Sequence, residues 1–262
     1  MKSLSLVAVG VGCILFQSAQ ATLLFSEAFN YTAGTGLGGK VNPGNSIAWS
    51  SANSSFLSIA SGNLTYDGLV NQGGNELQIA NGGATSSYIT FANQTSGQIY
   101  YSFLFYASVV DSGNNYFTAM NPGNTAPGGS GDAIDAYYYS NGKIELRANA
   151  QSATPGIGAA LNLNTTYFIV EEIDLTAKTA SLWLNPTPGA AAPTVTASLQ
   201  SITATAIDNV GFKANAGTGT YLVDNILIGT TWADVTPAPE PSTFALAGLG
   251  MLGLALARRM RK

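Results

Sequence analysis

Short runs in which apolar residues dominate or alternate with polar ones fill the middle of the chain, and Gly, Asn, Ser and Pro separate them. The runs are rich in aromatic and β-branched side chains, which favour β-strands. They cover residues 23–29, 87–91, 99–106, 135–139, 144–147, 166–175, 180–184, 206–212 and 220–229. Residues 22–236 show no sustained apolar stripe of 3.6-residue period. The pattern predicts an all-β domain over 22–236, a two-sheet antiparallel β-sandwich of the jelly-roll kind.

Two turns indicate how neighbouring strands pair. Asn141-Gly142 stands between two strand-like runs, and an Asn-Gly pair in that position is a strong hairpin signal. Residues 176–179 separate two further runs and predict a second hairpin.

The N-terminus has the pattern of a secretory signal peptide. Lys2 precedes an apolar run over residues 4–16, and Ala19-Gln20-Ala21 provides a small-residue cleavage site. We expect a signal helix in residues 1–21, cut after Ala21. A permanent anchor is disfavoured because the run is short for a membrane span. A lipoprotein through Cys13 is disfavoured because its leader would be very short.

The C-terminus has three successive parts. Pro239-Glu240-Pro241 is followed by an uncharged apolar run, and the basic cluster Arg258, Arg259, Arg261 and Lys262 ends the chain. Residues 243–257 predict a transmembrane helix of about 22 Å, which is short of the ~30 Å hydrocarbon core. Flanking arginines that reach the interface and local thinning offset the difference. The basic end should stay cytoplasmic, so the body faces outward.

Composition excludes several kinds of chemistry. The chain has no His, and its single cysteine, Cys13, lies in the predicted leader. Ser-His-Asp and Cys-His catalysis and His- or Cys-ligated metal sites are therefore excluded from the mature body. Residues 22–238 hold five basic and thirteen acidic side chains, a net charge of −8. Such an acidic body does not predict a nucleic-acid partner.

The tail over 237–262 resembles the PEP-CTERM sorting signal of Gram-negative bacteria. The resemblance rests on Pro239-Glu240-Pro241, the apolar run, and the basic end with Arg258 and Arg259. It implies that an exosortase, a membrane protease of transpeptidase type, recognises and cuts the tail after it has held the chain in the inner membrane. The body would then reach the cell surface or the extracellular matrix. A plain C-terminal anchor is the alternative.

The body resembles the concanavalin A-like and laminin-G-like jelly rolls of secreted bacterial proteins. The similarity is carried by residues 25–31 at the start, 182–186 in the second hairpin and 223–229 at the end. In that fold the first and last strands often lie side by side.

One strand segment can be compared with the catalytic motif of glycoside hydrolases. Laminarinase-type jelly rolls use Glu-x-Asp followed by a second Glu, and strand alternation places those carboxylates together. Glu172 and Asp174 fit the first two positions, but Thr176 or Ala177 stands where the second Glu belongs. The motif therefore predicts an ordinary hairpin strand, and we expect the protein not to be an enzyme.

Calcium is the metal that the acidic loops favour, because it takes hard oxygen ligands. Glu27 and Asp224 would meet if the terminal strands pair as in the resembled fold. Residues 111–115 and 132–135 are alternatives. Asp and Asn also favour turns without any metal.

Sugar binding would use aromatic faces with polar neighbours. The candidates are Trp49, Tyr137 and Tyr139, and alternation should place Tyr138 on the opposite face. Core packing is the competing explanation for each tryptophan.

These observations predict an exported surface or matrix protein with a carbohydrate-interacting or structural body and without catalysis. A polysaccharide-acting jelly-roll enzyme is one alternative. An adhesion or ice-binding surface, suggested by Thr-x-Thr at 194–196, 203–205 and 218–220, is another.

Overall fold

A computed structural model describes residues 23–113, 115–128, 132–148, 151–152, 160–200 and 202–239. Strands make up most of the regular structure in these ranges. They are β1 (Leu23–Glu27), β2 (Leu57–Ala60), β3 (Glu76–Ala80), β4 (Thr85–Gln94), β5 (Gln98–Val109), β6 (Asn115–Asn121), β7 (Ile134–Tyr138), β8 (Ile144–Ala148), β9 (Gln151–Ser152), β10 (Thr166–Asp174), β11 (Thr179–Leu184), β12 (Ala197–Gln200), β13 (Ile207–Ala214) and β14 (Thr220–Gly229). A short helix, α1 (Trp232–Val235), follows the last strand.

The strands form two antiparallel sheets that pack face to face. The larger sheet has eight strands in the order β12-β11-β10-β5-β14-β3-β2, with β1 also paired to β14. The smaller sheet has six strands in the order β4-β13-β6-β7-β8-β9. The prediction of an all-β, two-sheet jelly-roll sandwich is confirmed.

The terminal strands lie side by side in the larger sheet. Glu27 of β1 pairs with Ile226 of β14, and Leu23 pairs with Gly229. The first half of β14 pairs with β3 on the same side. The first and last segments of the body therefore close one sheet together, as the resemblance implied.

Both predicted hairpins are present. The Asn141-Gly142 turn joins β7 to β8, and β10 pairs with β11 around the second turn. In that second turn, the Asp174 carboxylate accepts hydrogen bonds from the backbone N–H groups of Thr176 (2.8 Å) and Ala177 (2.7 Å).

The core between the sheets is aromatic. On β5 the side chains of Tyr101, Phe103 and Phe105 point inward and are fully buried. They meet Phe117 of the smaller sheet, whose ring centroid lies 4.8 Å from that of Phe105. Alternation along each strand separates these residues from those on the outer faces.

A second apolar cluster covers the outer face of the larger sheet, and we call it the covering cluster. Its members are Leu64, Leu69, Tyr100, Leu104, Phe168, Val170, Trp183, Leu227 and Val235. The 61–72 loop and α1 supply the residues that lie over the sheet.

No helix within the described ranges is long and apolar enough to cross a bilayer. The predicted signal helix (1–21) and transmembrane helix (243–257), with Ala19, Ala21, Glu240, Pro241, Arg258 and Arg259, lie outside those ranges.

Candidate functional site

The outer face of the six-stranded sheet carries a concentration of aromatic and charged side chains. They alternate with core residues along β13, β6, β7 and β8. The set, with Tyr139 at the end of β7, is Tyr116, Asp135, Tyr137, Tyr139, Glu145, Arg147 and Lys213, and we call it the tyrosine face. Strand register places these residues together, because Tyr137 pairs with both Tyr116 and Glu145 across its two neighbouring strands.

Tyr137 lies at the centre of this face. Its ring centroid is 5.2 Å from that of Tyr116 and 6.0 Å from that of Tyr139. The guanidinium carbon of Arg147 is 4.3 Å from the Tyr137 centroid, which is within cation–π distance. These contacts leave Tyr137 only 7% exposed, whereas Tyr116, Tyr139 and Arg147 are half-buried and have edges that reach solvent.

Lys213 supplies a second cation at the other end of the row. Its Nζ lies 4.5 Å from the ring centroid of Tyr116 and donates to the hydroxyl of that residue. Burial lowers the pKa of Lys213, and the nearby Asp132 carboxylate opposes this change.

A loop segment, residues 122–128, lies against the same face. Asp132 holds it, because its carboxylate accepts hydrogen bonds from the side-chain amide of Asn121 (2.8 Å) and from the backbone N–H of Gly128 (3.0 Å). The side-chain amide of Asn209 donates to the carbonyl of Gly123 in the same loop. The loop fixes Asp132 beside the tyrosine face.

Asp135 is a carboxyl group with an unusual environment. It is 1% exposed, and its Oδ1 has no hydrogen-bond partner within the described part of the chain. Burial raises the pKa of Asp135 to about 8; the Asp132 and Glu145 carboxylates add to this effect and Arg147 opposes it. At neutral pH the group therefore holds its proton, and it lies two register positions from Glu145 on the neighbouring strand.

The structure places the predicted aromatic residues in two environments. Tyr137 and Tyr139 share the tyrosine face, while Tyr138 points into the core, where its ring lies 5.3 Å from that of Tyr221. Trp49 is also a core residue: it is 1% exposed and its ring lies 5.6 Å from Phe212. The prediction that Trp49 contacts sugar is corrected, because no sugar reaches a ring buried between the sheets.

Glu27 serves the fold and does not pair with Asp224. The Glu27 carboxylate accepts hydrogen bonds from Phe29 N–H (2.8 Å), Tyr31 hydroxyl (2.7 Å), Asn42 amide (3.0 Å) and Trp49 Nε1–H (3.0 Å). Four protein donors therefore occupy the oxygens that a calcium ion would need.

Asp224 is engaged separately. Its carboxylate accepts from the N–H groups of Leu64 (3.0 Å) and Asn225 (2.7 Å). Burial raises the pKa of Asp224 to about 8; those hydrogen bonds oppose the rise, and the carboxylates of Glu76 and Glu27 add to it. The described residues contain no group of three or more His, Cys, Asp or Glu that could hold a metal ion. Glu27 and Asp224 thus do not fit a shared calcium site.

The alternative calcium segment at 111–115 is also saturated by protein donors. Asp111 accepts from the hydroxyl of Tyr221 (2.6 Å), the amide of Asn115 (2.7 Å) and the N–H of Thr218 (3.0 Å). Burial acts to raise the pKa of Asp111, but these hydrogen bonds outweigh it and the pKa is lowered. The other alternative calcium segment, residues 132–135, contains Asp132 and Asp135, the two aspartates at the tyrosine face.

The carboxylates of β10 lie on opposite faces of the larger sheet. Glu172 and Asp174 point outward, whereas Glu171 points into the core opposite Tyr101. Neither oxygen of Glu171 has a hydrogen-bond partner in the described ranges. Burial raises the pKa of Glu171 well above its usual value, and the Asp135 carboxylate adds to the rise.

Sequence reasoning did not single out Tyr116, Glu145, Arg147 or Lys213. The Asn141-Gly142 turn contained part of the signal, because the short loop of a hairpin fixes which residues pair; here the loop is residues 140–142, between Tyr139 and Lys143. It places Glu145 opposite Tyr137 and Arg147 opposite Asp135. Tyr116 and Lys213 come from strands far apart in sequence.

The signature of the PEP-CTERM protein-sorting motif matches residues 237–262. This motif implies export and membrane-anchored sorting by exosortase, a membrane protease. No curated protein matches the chain.

Among solved structures, the body is similar to a GH131 β-glucanase catalytic domain from Podospora anserina, with a TM-score of 0.55 and 12% identity over 82% of this chain and 98% of that one. The catalytic domain of the glycoside hydrolase family 131 protein from Coprinopsis cinerea gives a TM-score of 0.51 and 13% identity over 84% and 99%. A sialidase gives a TM-score of 0.46 and 12% identity over 71% of this chain. The chain spans only 17% of that sialidase.

These neighbours correct the expectation that the protein is not an enzyme. That expectation rested on one incomplete motif at Glu172 and Asp174, whereas the fold of the body is shared with catalytic domains of glycoside hydrolases. A carboxyl pair elsewhere on the sandwich is compatible with the same fold. The chain thus carries a PEP-CTERM protein-sorting motif at residues 237–262, behind a two-sheet β-sandwich body that is similar in fold to these two catalytic domains.

Proposed function

We propose that the protein is displayed on the cell surface or in the extracellular matrix of a Gram-negative bacterium, where its body engages extracellular polysaccharide. The tyrosine face supplies the contact. The observation that carries this proposal is the row Tyr116, Tyr137 and Tyr139 with a cation at Arg147 and carboxyl groups at Asp135 and Glu145.

The chemistry of the row suits sugars. The apolar faces of pyranose rings pack on aromatic rings, and their hydroxyls need a few well-placed polar groups. Tyr139 and Arg147 offer accessible edges of both kinds on one surface. Arg147 and Lys213 are cations in a body that is otherwise acidic, so they favour a polysaccharide with carboxylate or sulfate groups over a neutral one.

Binding can be tested with the full chain in detergent on a glycan array and on insoluble polysaccharides. Tyr139→Ala removes an accessible ring and should weaken retention about tenfold. Tyr106→Ala is the matched control, because Tyr106 is a half-buried tyrosine on the other sheet whose hydroxyl donates to Asn164. Equal retention by the two variants, or no retention of the parent protein by any glycan, would contradict the proposal.

Polysaccharide hydrolysis is a second candidate function, and the protonated Asp135 beside Glu145 favours it. Glycoside hydrolases pair a carboxylic acid with a second carboxyl group roughly 5–9.5 Å away. Asp135 and Glu145 are diagonal neighbours on adjacent strands, about 7–8 Å apart at Cα, and their side chains project from the same face of the sheet. Asp135 would donate a proton to the leaving oxygen, and Glu145 would act as nucleophile or as base for a water. Because Asp135 is only 1% exposed, this role requires the side chains that cover it to move aside when the polysaccharide binds.

Release of reducing ends from the retained polysaccharide tests this candidate. Asp135→Asn and Glu145→Gln should each abolish release, while Glu172→Gln on the other sheet should leave it unchanged. Release that survives both changes would rule out this carboxyl pair as the catalytic site.

Sorting is tested separately in a host that carries an exosortase. Glu240→Gln and removal of residues 258–262 should each leave uncut protein in the inner membrane. Normal processing of both variants would contradict exosortase sorting.

A further inference from the structure

The segment between the last strand and the sorting motif is built into the body. After Gly229 the chain turns into α1, where Thr231 and Asp234 form a reciprocal capping box. The hydroxyl of Ser102 on β5 donates a 2.7 Å hydrogen bond to the carbonyl of Val235. Val235 belongs to the covering cluster. The helix is therefore fixed to the outer face of the larger sheet by its cap, a buried hydrogen bond and apolar contacts.

Trp232 fixes the same segment to the turn at residues 187–190. Its Nε1–H donates to the carbonyl of Ala190 at 2.9 Å. Its ring lies 5.0 Å from that of Trp183 and 6.1 Å from that of Tyr100, both edge to face.

The contacts continue to the start of the sorting motif. The N–H of Gly189 donates to the carbonyl of Thr236 at 2.7 Å, and the N–H of Val70 donates to the carbonyl of Pro237 at 3.0 Å. Thr236 is 1% exposed. Ala238 packs on Gly189 so closely that a Cβ added to Gly189 would lie 2.6 Å from the Cβ of Ala238. Residues 232–238, which we call the latch, thus hold the chain to the body up to Pro239.

The contacts of the latch with the body conflict with proteolysis at the sorting motif. A protease brings the scissile bond to within about 3–3.5 Å of its reacting group and must reach the chain on both sides of that bond. The carbonyls of Thr236 and Pro237 accept hydrogen bonds from the body, and the side chain of Thr236 is buried, whereas Ala238 and Pro239 are exposed. The body therefore occupies one side of the substrate segment while the latch is closed.

We propose that the sorting protease acts on a form in which the latch has detached from the body, so that latch opening governs the rate of processing. The inference rests on the proposed exosortase processing and on cleavage near residues 239–241, which the resemblance to the PEP-CTERM signal implies. Opening is a local event, because the paired strands end at Gly229 and the sandwich keeps its core when residues 232–238 detach. A folded body thus withholds its own cleavage site from the protease.

The first test is a pulse–chase measurement of processing in the exosortase-bearing host, with the full chain. Gly189→Ala pushes Ala238 away and strains a backbone position with φ of +72°, so processing should become about threefold to tenfold faster. Gly97→Ala is the matched control: it has φ of +74° and open space around an added Cβ. It should be processed at the parent rate.

A hydrogen-exchange measurement on the purified full chain checks that the variant acts through the latch. In Gly189→Ala the Val70 amide should exchange faster, because its acceptor is the Pro237 carbonyl, while amides of β5 should keep their protection. An opened latch with unchanged or slower processing overturns the proposal.

A linker variant covers the case in which Gly189→Ala fails to fold. Six Gly and Ser residues inserted between Ala238 and Pro239 free the motif while the latch stays closed. This variant should be processed as fast as Gly189→Ala, and adding Gly189→Ala to it should change nothing further. Parent-rate processing of the linker variant overturns the proposal. Normal processing of Glu240→Gln would instead show that the motif is not the substrate, which is a failure of the sorting proposal itself.

Discussion

The outer faces of the two sheets have the same strand geometry, but one face is covered by other parts of the chain and the other remains partly accessible to solvent. On the larger sheet the outward residues Leu104, Phe168 and Trp183 are apolar, and the 61–72 loop and α1 cover them. On the smaller sheet the outward residues are tyrosines, carboxyls and cations, and Tyr139 and Arg147 keep solvent-accessible edges. The chemistry of the outward side chains thus decides which sheet face is covered by other parts of the chain and which keeps aromatic and charged groups at the solvent.

The largest expected effect comes from removing a ring from the covered face. Trp183→Ala takes away a side chain that is 7% exposed, its contact with Trp232 and its hydrogen bond to the Pro193 carbonyl. It should lower the free energy of unfolding by about 3–5 kcal/mol. Tyr139→Ala on the tyrosine face should cost less than about 1.5 kcal/mol. Urea denaturation measures both, and similar losses would show that the two faces contribute equally to stability.

The pH dependence of stability should distinguish Asp135 from an ordinary buried carboxylate. Its pKa of about 8 in the fold lies above the usual 3.8, so the folded state holds a proton that the unfolded chain releases. Stability from this group is complete below about pH 4 and is lost as the pH rises through 8. Asp135→Asn should remove the share of this decline that belongs to Asp135, a difference of several kcal/mol at pH 9, while the share of Asp224 remains.

Asp111 is a control, because its contribution to stability should depend on pH in the opposite direction. Its lowered pKa means that its contribution is present at neutral pH and is lost on acidification. Asp111→Asn should therefore flatten the acid side of the stability profile. A parent protein that is equally stable at pH 5 and pH 9 would show that Asp135 ionises normally.

Arg147 should contribute more to the binding of acidic polysaccharides than to the binding of neutral ones. Arg147→Gln removes the cation above Tyr137, and affinity for an acidic polysaccharide should fall about fivefold, which is about 1 kcal/mol. Affinity for a neutral one should change less than twofold. Binding isotherms at two salt concentrations measure both, and the same loss for both ligands would assign Arg147 to packing alone.

The smallest loss of stability is expected for a change at Lys213, at the end of the tyrosine face next to Tyr116. Lys213→Met loses the contact with the Tyr116 ring and hydroxyl, which should cost about 0.5–1 kcal/mol of stability. Lys143→Met, at a half-buried position of the β7–β8 turn, should be near neutral. A Lys213 variant as stable as its parent would mean that the cation contributes nothing to the face.

The strand pattern predicted the fold because period-2 alternation and turn residues are local properties. The β7–β8 hairpin is an example, since Asn141-Gly142 fixed its register and put Tyr137 and Tyr139 on one face. The prediction for Trp49 was wrong for the opposite reason. A tryptophan in a loop-rich segment has no local signal that says whether it is buried, and here a carboxylate 22 residues away accepts its N–H.

The candidate site was predicted only in part. The incomplete motif at Glu172 and Asp174 pointed away from catalysis, while the pair Asp135 and Glu145 belongs to another sheet. Asp132 is a near neighbour in the sequence, but the raised pKa of Asp135 depends first on its burial, which is not visible in the run of residues around it.

The amino-acid sequence was enough to predict the all-β sandwich, the two hairpins and the sorting motif at 237–262. Strand alternation, turn residues and the three-part tail are patterns of residues that lie next to one another in the chain. Only the tertiary structure decided which carboxyls bind protein donors, which acid keeps its proton, and that residues 232–238 are held against the body up to Pro239. Those properties depend on burial and on contacts between strands and loops that are distant along the chain, such as Val70 with Pro237.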